Sequence, residues 1–67
     1  MEIIFNNHPR QIEAKSSILI ALNNLIGDKQ KGIAVAVNET VVPKAQWDSY
    51  ELKHNDNVLV IKATQGG

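Results

Sequence analysis

Sixty-seven residues allow one domain and one small core; a chain of this size buries only about 60% of the surface it exposes when unfolded. Seven basic and seven acidic residues cancel, and neither sign forms a run, which excludes the basic stripe that nucleic acid requires. There is no Cys, which excludes disulfide staples and any thiol nucleophile of the chain's own, and fits a reducing compartment.

Residues 2–6 are rich in β-branched and aromatic types and predict a first strand. Asn6-Asn7-His8-Pro9 is turn chemistry, because Asn tolerates left-handed backbone and Pro cannot donate to a ladder. Residues 10–14 alternate polar and apolar, as the return arm of a hairpin with one wet face. Ser16-Ser17 offers an N-cap. Ile18, Leu22, Leu25 and Ile26 then follow the i, i+4, i+7, i+8 spacing of a helix with one stripe toward a core. Leu19 lies beside that stripe, Asn23 and Asn24 lie opposite, and Gly27 is the natural left-handed stop. A helix of about ten residues is too short to stand alone and must pack on something.

After the polar connection 28–32, the apolar run Ile33-Ala34-Val35-Ala36-Val37 between Gly32 and Asn38 predicts a buried strand. Ala34 and Ala36 share one face, and Ile33, Val35 and Val37 share the other, which is expected under the helix. Asn38-Glu39 turns the chain, and Thr40-Val41-Val42 returns until Pro43 stops it. Residues 44–48 suit a single helical or 3₁₀ turn that places Trp47 over an edge of the core. Residues 49–53 alternate weakly and predict a short edge strand. His54-Asn55-Asp56-Asn57 is a further turn with Asn55 left-handed, and residues 58–61 form the last strand.

The order is β-β-α-β-β-(short)-β. Its simplest packing is an α+β roll, a mixed sheet of four to five strands with one main helix across one face. The first and last strands then pair in parallel at the centre, and the helix supplies the crossover. Residues 1–61 make up this domain, and residues 62–67 form a flexible tail ending in Gly66-Gly67. Two glycines end a chain by chance roughly once in 200. Extended, six residues reach about 20 Å, and a backbone without side chains enters a channel too narrow for other residues. The plain alternatives are a frayed end or a cloning scar. No apolar stretch of the helical region is longer than residues 18–22, far short of a membrane span. The opening Met1-Glu2-Ile3 is unlike a secretory signal, so a cytoplasmic protein is expected.

The stretch Ala34-Val35-Ala36-Val37-Asn38-Glu39-Thr40-Val41-Val42-Pro43-Lys44-Ala45-Gln46-Trp47 resembles the signature of the thiamine-biosynthesis sulfur carriers, the ThiS family, whose members are ubiquitin-like β-grasp domains of similar length that also end in Gly-Gly. One departure is visible: His54-Asn55-Asp56 stands where the family has an Asp-Gly-Asp turn, and Asn is the next-best residue for a left-handed position. The resemblance implies a carrier that is not an enzyme. A ThiF-like adenylating enzyme, using ATP and magnesium, would activate the Gly67 carboxylate, a persulfide donor would convert it to a thiocarboxylate, and a ThiG-like thiazole synthase would consume the sulfur. The chain itself binds no cofactor in this scheme. Aligned on the terminal glycines of ubiquitin-like proteins, Leu59 and Ile61 face outward, either as part of a docking patch with Ala63 and Gln65 of the tail beside it or covered by another strand or loop.

Other residues are read structurally. Trp47 is a core lid and Pro43 a strand stop. His8 and His54 lie in turns with no Cys or paired carboxylate around either, so no metal site is assigned. Nothing in the sequence brings Glu39 and Asp56 together as an acid–base pair, and Ser16 and Ser17 are caps rather than nucleophiles. Three other functions fit a tailed β-grasp domain: a carrier for molybdenum-cofactor synthesis, a binding module that transfers nothing, and a tag joined to lysines.

Overall fold

The computed structural model describes residues 1–62. Asn6 and Asn7 hold φ of 49° and 71°, the geometry of a two-residue hairpin turn of the primed type, which Asn adopts at little cost. Strand β1 (Glu2–Phe5) therefore folds straight back into β2 (His8–Gln11), with Phe5 opposite His8 and Ile4 opposite Pro9. This corrects the return arm expected at residues 10–14, and it moves His8 from a turn into a strand. The two asparagines complete the turn alone, and β2 lies at the edge of the sheet, where a proline without an N–H can be accommodated.

Helix α1 (Ile18–Leu25) starts where its cap predicts: the Ser17 Oγ accepts from the Ile20 N–H at 3.2 Å. It stops at Gly27, whose φ is 62° and whose N–H donates to the Leu22 carbonyl at 3.0 Å. Ile18, Ala21 and Leu22 are buried, while Leu19, Leu25 and Ile26 are half-buried against the same core. The stripe thus centres on Ala21 and not on the Leu25–Ile26 end, and Asn23 and Asn24 are exposed as expected.

The five-stranded sheet has the order β2-β1-β5-β3-β4. Strands β3 (Ile33–Val37) and β4 (Thr40–Val42) form the second hairpin, turned by Asn38 and Glu39 at φ of 51° and 72°. The last strand, β5 (Asn57–Lys62), fills the central slot, parallel to β1 and antiparallel to β3. Val35, Val37, Val58, Ile3 and Phe5 line the face under α1 with Ile18, Leu22, Leu52 and Trp47. The Trp47 indole N–H donates to the Val42 carbonyl at 2.9 Å, so its one polar atom is satisfied while the ring closes the core. A 3₁₀ turn (Lys44–Gln46) delivers it there.

Residues 49–53 do not form the expected edge strand. They make a single bridge, Ser17 to Glu51. Their backbone serves the helix entrance instead: Ile18 N–H donates to Tyr50 at 3.0 Å, and Leu52 N–H to Ser16 at 2.8 Å. A weak alternation here reflects one buried anchor, Leu52, and no ladder. Among the described residues no helix is long and apolar enough to cross a membrane.

Candidate functional site

The site is built on β5, because residues 63–67 follow directly from its end. The strand is held in place partly by side chains. Ile4 N–H donates to Asp56 and Asn6 N–H to Val58, both at 2.9 Å; then the Val60 N–H donates to the Asn6 side-chain Oδ1 at 2.7 Å. Asn6 thus supplies the turn and, with its amide oxygen, extends the parallel ladder past the point where β1 ends. On the other flank, Asn38 Oδ1 accepts from the Asn57 N–H at 2.9 Å, and its Nδ2 donates to Asp56 at 3.0 Å. The second Asp56 oxygen accepts from the Lys53 N–H at 2.8 Å. Asn55 takes the left-handed position at φ 72° that the sequence assigns to it.

Alternation along β5 puts Val58 and Val60 on the helix side and Leu59 and Ile61 on the opposite side. Among the described residues no layer covers that opposite face. Leu59 is 40% exposed, Ile61 51% and Val41 67%. Between them run the two small residues of β3, with Ala36 opposite both Leu59 and Val41, and Ala34 opposite Ile61. The result is an apolar strip, low along β3 and raised on either side. Isolated apolar residues are ordinary on a surface, but a contiguous set is the mark of an interface. Leu59 and Ile61 face outward as expected, and Val41 belongs with them. Alternation against the buried Val42 was the available signal for Val41.

The strand runs through Lys62, which pairs with Ile33. Ala63, Gln65, Gly66 and Gly67 lie outside the described residues. Asp56 and Glu39 form no acid–base pair in this geometry, since both Asp56 oxygens are engaged in the turn. Glu39 instead lines a pocket of about 220 Å³ on the bare face, with Asn7, Ala36, Asn57 and Leu59. Ser16 Oγ donates to the Glu13 carbonyl at 2.7 Å, and Ser17 caps the helix. His54 Nδ1 accepts from the Glu2 N–H at 3.1 Å, which ties the last turn to the start of β1.

Comparison with known proteins bears on this arrangement. The family model described as "ThiS family" matches residues 3–67. The chain belongs to the ThiS family. Sulfur carrier protein ThiS of Escherichia coli strain K12 is 31% identical over 67 residues, which is 100% of each chain. A crystal structure of thiamine biosynthesis protein ThiS from Geobacter metallireducens superposes with a TM-score of 0.88 over 100% of both chains at 20% identity. That likeness shows the shared fold, the ubiquitin-like β-grasp. In ThiS-family terms, the match takes in the signature on β3 and β4, the outward residues of β5, and both terminal glycines.

Proposed function

We propose that the chain is a sulfur carrier of thiamine biosynthesis whose reactive group is the Gly67 carboxylate. The observation that carries this reading is the family match, which spans the domain and the Gly66-Gly67 terminus together. The uncovered strip beside the end of β5 supports it, because a tail that reacts in another protein's active site needs a surface by which that protein holds the domain.

The chemistry follows from the state of a carboxylate. A free α-carboxyl titrates near pH 3.5 (about 3.3–3.7), so at neutral pH it is an anion and resists nucleophiles. Its oxygen must first attack the α-phosphorus of ATP and expel pyrophosphate, in a partner's site where magnesium would offset the phosphate charge. The acyl-adenylate then has a good leaving group in AMP. The terminal sulfur of a persulfide displaces AMP, and a second thiol cleaves the resulting acyl disulfide to release the thiocarboxylate. A thiazole synthase takes up that sulfur. The chain has no Cys, so every thiol in the sequence of steps belongs to a partner. The chain is then a cosubstrate, and Leu59 and Ile61, with Ala63 and Gln65, are its docking residues.

The test uses the full chain, an adenylating enzyme, ATP, magnesium and a persulfide donor, followed by intact mass. One terminal oxygen is expected to be replaced by sulfur. Removing Gly67 abolishes the exchange while the fold persists, and an unchanged exchange in the truncated chain rules the reading out. Rescue of a thiamine auxotroph, and not of a molybdenum-cofactor mutant, separates this carrier from its nearest alternative.

A further inference from the structure

Charge is not shared evenly between the two sides of the sheet. Of the seven Lys and Arg residues, only Arg10 and Lys62 are in strands. Both have helix-side parity: Arg10 opposes the buried Ile3, and Lys62 alternates with Val58 and Val60. Among the described strand and pocket residues of the bare face the charged groups are carboxylates, Glu2 on β1 and Glu39 of the pocket. That pocket lies across β5 between the two hairpin turns. It is lined by the aliphatic Ala36 and Leu59 and by three polar residues, Glu39, Asn7 and Asn57. Two aliphatic residues flanked by an acidic side chain and amide acceptors match a long cationic side chain, its stem along the aliphatic residues and its head at the acceptors.

Glu39 also holds φ of 72°. Gly or Asn would sit there without strain, whereas Glu gives up turn stability and contributes a carboxylate. Strain retained in this way points to a use for the side chain.

We propose that the pocket receives an arginine side chain of the protein that docks on the bare face. This rests on the carrier reading, in which that protein is the adenylating partner. Arginine fits better than lysine because its planar fork engages a carboxylate through two bonds and has donors left for the neighbouring amides. An anionic lipid surface is disfavoured by a face that offers carboxylates and no strand cation.

The experiment is a titration of the full chain with its adenylating partner at several salt concentrations. E39Q, which keeps side-chain length, is expected to weaken binding about ten- to hundredfold, the usual worth of a hydrogen bond to a charged group, and to flatten the salt dependence. E39G is expected to bind as weakly while melting higher than the wild type, so weak binding cannot be ascribed to a damaged fold. In an arginine-to-alanine scan of the partner, one variant should be non-additive with E39Q. Binding of E39Q within about twofold of the wild type, or additivity for every arginine, overturns the pocket assignment and leaves the carrier reading untouched. Wild-type binding without pyrophosphate release from ATP sinks the carrier reading, and the Glu39 comparison still decides the pocket. Self-association of the wild type that E39Q abolishes would assign the pocket to a second copy and overturn the proposal.

Discussion

The two sides of β5 differ by one step along the backbone. Val58 and Val60 point toward α1, and Leu59 and Ile61 point away from it. All four are aliphatic, so hydrophobicity does not separate them; the cover does. On one side Leu22, Ile18 and Trp47 close over the strand. On the other, Ala34 and Ala36 leave a low strip, and Leu59, Ile61 and Val41 are open to solvent. Burying a side chain of this size stabilises by about 1.5–3 kcal/mol, and a domain this small has only about 3–5 kcal/mol in total. Leaving two such residues bare on the central strand withholds stabilisation that a partner can supply on docking. Under the proposed function, folding and binding draw on opposite sides of one strand, and a slip of one residue in register would exchange them.

The contrast can be broken most forcefully from the covered side. Leu22→Ala is expected to cost about 2–5 kcal/mol, comparable to the whole stability, and urea denaturation should show a largely unfolded chain. Asn6→Ala attacks the ladder that fixes β5 between the two faces. It deprives the Val60 N–H of its acceptor, a loss of about 1–3 kcal/mol, and adds strain at φ 49°. Hydrogen exchange should locate the loss at Val60. Ser17→Ala removes the helix cap and should lower stability by about 1 kcal/mol, read as a shift of the urea midpoint at unchanged slope. Leu59→Ala is the smallest in stability, within about 0.5 kcal/mol of the wild type. Under the proposed docking it nevertheless weakens binding of the adenylating partner by about tenfold, the cost of truncating a side chain packed at the centre of an interface. Equal stability losses for Leu22→Ala and Leu59→Ala would erase the distinction between the faces.

The covered side was the more legible in the sequence. Gly32 and Asn38 bracket residues 33–37, and β3 has those bounds. Ser17 and Gly27 mark the ends of α1 for the same reason: cap chemistry is local. Reading fell short where a local signal competes with a distant one. Pro9 signals a turn by itself, but its place in β2 depends on lying at a sheet edge, which no neighbouring residue encodes. Residues 49–53 alternate enough for a strand, yet their hydrogen bonds go to Ser16 and Ile18, over thirty positions away. On the bare side, the outward parity of Leu59 and Ile61 was accessible by alignment to ubiquitin-like chains. The pocket was not, because it exists only once Asn7 and Glu39 adopt positive φ on opposite flanks of β5. Asn6 shows the same limit: its turn role was plain, but its bond to Val60 spans 54 residues.

The central claim is that Gly67 accepts sulfur while the domain acts only as its holder. Intact-mass analysis of the full chain after incubation with the adenylating partner, ATP, magnesium and a persulfide donor tests it most directly. The account predicts one oxygen exchanged for one sulfur, with fragmentation locating the sulfur on Gly67. A partner that binds the chain and hydrolyses ATP while the mass stays unchanged, or a sulfur located anywhere but Gly67, would contradict it.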